Sequence, residues 1–149
     1  MKYLFYIIFF ILLSNTISAQ RIGLKKISAK WIGKYSFSLN SNNEDWRDEH
    51  IFTLKIYRDS IIYESEGYQL YEKHLLDVIE NDNKLIFMFK KSLDNTFSEV
   101  FLKKTKDFGV LSFNKKKYFW NCPYISTRFK NGKKINFILI KTSLLNKPL

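Results

Sequence analysis

One cysteine, five glycines, two prolines and two histidines are all that this 149-residue chain holds of those types, and each shortage excludes something. A lone Cys122 cannot form an intramolecular disulfide or a thiolate-rich zinc or iron–sulfur site. So little glycine and proline excludes a collagen-like chain or a flexible linker. His50 and His74 stand singly, without the spacing of a metal-binding pair. G-x-S-x-G, H-E-x-x-H and a glycine-rich phosphate loop are all missing. The chain therefore reads as non-enzymatic, with no catalytic residue, metal site or cofactor assigned. Acidic residues are confined as well. All 14 lie between Glu44 and Asp107, and none follows.

Long hydrophobic runs are scarce too. The best, Tyr3–Leu13, has 11 residues, where a membrane span needs about 20. It follows the positive Met1-Lys2 start and precedes Ser14, Asn15, Thr16 and a small-residue site at Ser18-Ala19. That order is a secretory signal peptide, with cleavage expected after Ala19. Residues 1–19 are the leader, and 20–149 form one domain, exported to the periplasm or medium. Hydrophobic residues at 46% and aromatics at 17% suffice for its core. In an oxidising compartment Cys122 could pair between chains, but among Trp120, Pro123 and Tyr124 it reads as a buried small hydrophobe.

The domain reads as strand after strand. Trp31, Gly33, Tyr35, Phe37 and Leu39 alternate with polar residues, and Phe52, Leu54 and Ile56 do the same. Further strands are expected at Ile61–Leu70, Leu75–Glu80, Leu85–Phe89, Phe97–Thr105, Phe108–Phe113 and Lys117–Trp120. Asn81-Asp82-Asn83 marks a turn. Ile125–Lys130 and Lys133–Ile140 flank Asn131-Gly132, which predicts a type I′ hairpin. Tyr71–Val78 is the best candidate for a helical turn. Nine or ten short strands with tight turns predict an all-β fold, one antiparallel up-and-down meander closing into a barrel.

Trp31 is large enough to plug one barrel end, Gly33 permits close approach of a neighbouring chain, and Tyr35 continues the same face. Trp31-Ile32-Gly33-Lys34-Tyr35 resembles the opening of lipocalin-like, or calycin-type, domains. It is also similar to secreted Bacteroidota domains of unknown function that begin W-x-G-x-Y. The resemblance covers five residues as a motif and most of Trp31–Ile140 as strand order. It implies a cup for an apolar ligand and an arginine set across the tryptophan, a place that Arg128 would fill. The chain departs from it in having W-x-G where lipocalins have G-x-W.

Charge offers a second reading. Beyond Asp107 stand nine cationic residues, among them Lys115, Lys116 and Lys117 on one turn and Lys130, Lys133 and Lys134 around Asn131-Gly132. If both tips share one end they form a basic patch for an acidic protein or an anionic envelope surface. The chain would then be an inhibitor or interaction module. Nucleic acid fits poorly with export. Trp46, in the polar Ser41–His50 loop, reads as either a lid folded onto the barrel mouth or an exposed anchor for a partner, and the inward lid is the expectation. Glu64 and Glu66 share one strand face, the minimal requirement for a carboxylate pair in a small hydrolase.

Overall fold

The computed structural model describes residues 27–94 and 98–144; the expected leader and cleavage site lie outside the described residues. Eight strands follow one another around a closed antiparallel barrel. They are β1 (Gly33–Leu39), β2 (His50–Ile56), β3 (Ile61–Gly67), β4 (Leu70–Asn81), β5 (Lys84–Ser92), β6 (Asp107–Asn114), β7 (Lys117–Asn121) and β8 (Asn136–Thr142). Closure comes from β8 returning to β1, with Lys34 opposite Thr142 and Ser36 opposite Ile140. It leaves none of the eight as an edge strand, the usual liability of a sheet. The expected up-and-down meander is the observed architecture.

Alternation explains which side chains point inward. Along β4, Glu72, His74 and Leu76 are buried while Tyr71, Lys73 and Leu75 are not. Trp31, Tyr35, Phe52, Tyr63, Phe87, Phe108 and Trp120 are fully buried. Neighbouring rings stand 4.8–6.2 Å apart where Tyr63, Phe108 and Trp120 meet. Phe37 stacks between Phe52 at 5.0 Å and Phe137 at 4.6 Å. An eight-stranded barrel is just wide enough for such filling. Each buried ring stabilises the fold by roughly 4–6 kcal/mol, before ordering entropy is subtracted.

Three segments depart from the expected strands. Tyr71–Val78 is strand, not a helical turn, because β4 pairs on both sides. Ser98–Thr105 is a helix, α1, rather than a strand. It lies at one barrel end between β5 and β6 and buries Leu102. Pro123–Phe129 is a second helix, α2, and Asn131-Gly132 ends it instead of turning a hairpin. Asn131 (φ 51°) and Gly132 (φ 75°) do adopt positive φ. Here that conformation brings the amides of Lys130 and Gly132 back to the Ser126 carbonyl, at 3.0 and 2.9 Å. The positive-φ pair expected there sits at Lys115 (φ 46°) and Lys116 (φ 63°), the two-residue loop between β6 and β7.

The topology gives the barrel two ends. At the Trp31 end lie the start of β1, the end of β8, and the β2–β3, β4–β5 and β6–β7 turns. At the helix end lie α1, α2, the Asn40–Glu49 loop and the β3–β4 turn. Among the described residues no helix is long and apolar enough to cross a membrane.

Candidate functional site

Trp31 is buried at the barrel end where β1 begins. Its indole N–H donates to Glu80 Oε1 at 3.0 Å, and the Ser28 amide and hydroxyl donate to the same carboxylate at 3.0 and 2.5 Å. Desolvation opposes the Glu80 charge, but the Ser28 and Trp31 hydrogen bonds outweigh it and hold the carboxyl below its ordinary range. Tyr35 donates to the Trp31 carbonyl at 2.7 Å and meets Tyr118 edge-on at 4.9 Å. The Lys141 ammonium lies 5.4 and 5.5 Å from the centres of those two rings. Gly33 makes the expected close approach: a Cβ there would lie 2.7 Å from Lys141 Cε and 3.1 Å from the Thr142 carbonyl.

Arg128 is not across from Trp31. It belongs to α2 at the opposite end. There it anchors a cluster that strand-by-strand reading missed. Glu72, only 3% exposed, accepts from the Tyr124 hydroxyl at 2.7 Å, from the Ser65 hydroxyl at 3.2 Å and from Arg128 Nη1. Arg128 also donates to Tyr124 Oη at 2.6 Å, with its guanidinium 5.4 Å from the Tyr124 ring centre. A single helical turn separates Tyr124 from Arg128, so both reach inward from one face of α2. Burial works against the guanidinium charge, and the Glu72 carboxylate overrides it.

Around this cluster lie buried polar atoms without partners among the described residues: Tyr63 Oη, both His74 ring nitrogens and Trp120 Nε1. Desolvation holds His74 below its ordinary range, against the pull of Glu72 and Asp94, so the ring stays neutral. Cys122 is buried in the core, and burial pushes its thiol up to about 12. That thiol remains protonated at neutral pH and packs as a small hydrophobe.

The surface residues distribute differently from expectation. Trp46 is no lid: it is 70% exposed and meets only the half-exposed Tyr68, edge-on at 5.6 Å. A 3-10 turn, Trp46–Asp48, capped by the Asp45 carboxylate, presents it outward. Glu64 and Glu66 share the outer face, where Glu64 is held between Lys55 and Lys73. The two lysine tips fall at opposite ends and form no single patch. Lys130, Lys133 and Lys134 follow α2 at the helix end, which also carries Glu44, Asp45, Asp48, Glu49 and Glu66. Lys115, Lys116 and Lys117 lie at the Trp31 end with Lys34 and Lys141.

That end also holds a groove of about 430 Å³, where β4 runs on past its last pairing with β3 at Leu76. Ile27, Ile61, Leu76, Val78 and Met88 line it, and Arg58 and the Asp77–Lys90 ion pair stand at its rim. Family models, curated proteins and solved structures were all compared with this chain, and none matches it.

Proposed function

We propose that the protein is exported, is not an enzyme, and binds an anionic partner through the lysine-rich Trp31 end of a closed barrel. One observation supports this reading above the others. Lys34, Lys115, Lys116 and Lys117 are exposed at one end, and none has an acidic partner among the described residues. Unpaired lysines on a rigid scaffold raise the local concentration of an anionic surface without a conformational cost. Both ends carry carboxylates; at the Trp31 end they are Asp59, Glu80 and Asp82 at the β2–β3 and β4–β5 connections, and Glu80 is engaged by Ser28 and Trp31.

Retention on an immobilised sulfated polysaccharide tests this. Lys115→Glu, Lys116→Glu and Lys117→Glu together should elute at much lower salt than the parent. Lys130→Glu, Lys133→Glu and Lys134→Glu change the net charge equally and should shift elution far less. Equal shifts would reduce the effect to net charge and sink the reading.

The 430 Å³ groove supports a second reading, an apolar small molecule held at the barrel end. This is the lipocalin-like alternative, calycin-type in ancestry. Its ligand would lie beside the Trp31 plug instead of among the packed central rings.

A further inference from the structure

We infer that the anionic partner is a lipid bilayer, met by the outer face of β8 between β1 and β7; this rests on the surface-binding reading above. Ile138 and Ile140 point outward and are 55% and 70% exposed. Ser36 of β1 lies opposite Ile140, which places Lys34 on the same face, diagonal to it. On the other side Phe119 lies opposite Ile138, and one step past the Tyr118–Leu139 pair brings Lys117 opposite Ile140. Lys115 and Lys116 continue the row in the adjoining turn.

Two exposed isoleucines flanked by unpaired lysines have a specific physical use. A protein interface of high affinity is built around an aromatic or arginine anchor in a pocket; this face has no arginine, and its one ring, Phe119, lies half-buried beside Ile138 on the strand surface. An anionic leaflet needs only apolar side chains short enough to enter the headgroup boundary and cations able to stay in it. Lysine stems can lie along the isoleucines while their ammonium groups remain wet. The outer strand face also presents no exposed carboxylate at these positions: Lys34, Ser36 and Ser38 of β1 and Lys117, Phe119 and Asn121 of β7 flank the isoleucines.

Co-sedimentation of the exported, full folded domain with vesicles tests the inference. Phosphatidylcholine vesicles containing phosphatidylglycerol should bind it, and phosphatidylcholine alone should bind it far less. Each of Lys34→Gln, Lys115→Gln, Lys116→Gln and Lys117→Gln should weaken binding by about fivefold. Ile138→Thr with Ile140→Thr, which keeps a β-branched outer face, should weaken it on the order of tenfold. That pair should leave polysaccharide retention and melting temperature unchanged. Equal binding to both vesicle types, or full binding by the isoleucine variant, would overturn the inference. Retention on the polysaccharide without vesicle binding would remove the bilayer and keep the anionic partner. Loss of both would remove the whole surface reading.

Discussion

Replacing Arg128 with methionine isolates the cluster at the helix end. The substitution keeps the aliphatic bulk over Tyr124 and removes two donated hydrogen bonds, to Glu72 and to the Tyr124 hydroxyl. Glu72 is then a carboxylate at 3% exposure that has lost its guanidinium and keeps the Tyr124 and Ser65 hydroxyls. Breaking a fully buried pair costs about 3–5 kcal/mol. The Arg128 side chain is 37% exposed, so solvent screens part of that. We expect a loss of about 2–3 kcal/mol, read as a fall in melting temperature of roughly 10 °C. Glu72→Gln alone should cost about 1–2 kcal/mol, since an amide keeps most of the geometry. The double variant should cost less than the sum by about 1–2 kcal/mol. Urea denaturation of the four proteins, with unchanged slopes, measures that coupling. Strict additivity would mean that Arg128 and Glu72 are neighbours without an energetic link.

Other outcomes follow from single residues. Gly109 has φ 109°, and a Cβ there would lie 2.0 Å from the Asn121 carbonyl oxygen, so Gly109→Ala should cost roughly 3 kcal/mol or prevent folding; a melting curve like the parent's would refute this. His74 sits below its ordinary pKa when folded, so the unfolded chain takes up the proton first and stability falls as pH drops below about 6.5. Thermal melts of His74→Phe across that range should lack this decline and lose stability only below the ordinary carboxylate range, where the unfolded chain protonates ahead of the lowered Glu64 and Glu80; parallel curves for the two proteins would be the contrary result. Lys116 holds φ 63° in the β6–β7 turn, so Lys116→Gly should raise stability by about 1 kcal/mol in the same melts, and a lowered melting temperature would show that the turn is not strained.

The barrel was legible because its strands are half-buried. Tyr35, Phe37 and Leu39 against Lys34, Ser36 and Ser38 can bury one face only as an extended chain. The helices were not legible for the same reason. Ile125, Phe129 and the apolar residues around them satisfy either period over seven positions, and Asn131-Gly132 serves a hairpin turn and a helix end equally well. Pro123 was the available signal, since proline fits the first turn of a helix. Missing α2 meant missing the Tyr124–Arg128 face, and with it the partner that makes a buried Glu72 tolerable. The burial of Trp31 and Tyr35 and the close approach at Gly33 were legible because a large ring, strand alternation and a missing Cβ carry their meaning locally. Which end of the barrel a lysine turn occupies depends instead on the parity of strands between two turns. The extra helix made that parity unreadable.

Native mass spectrometry of the folded protein, set against its mass after denaturation, tests most directly whether the barrel works through its surface. Identical masses are the result expected of a barrel filled by its own rings. A small molecule released on denaturation would contradict that account and place the function in the groove beside Trp31.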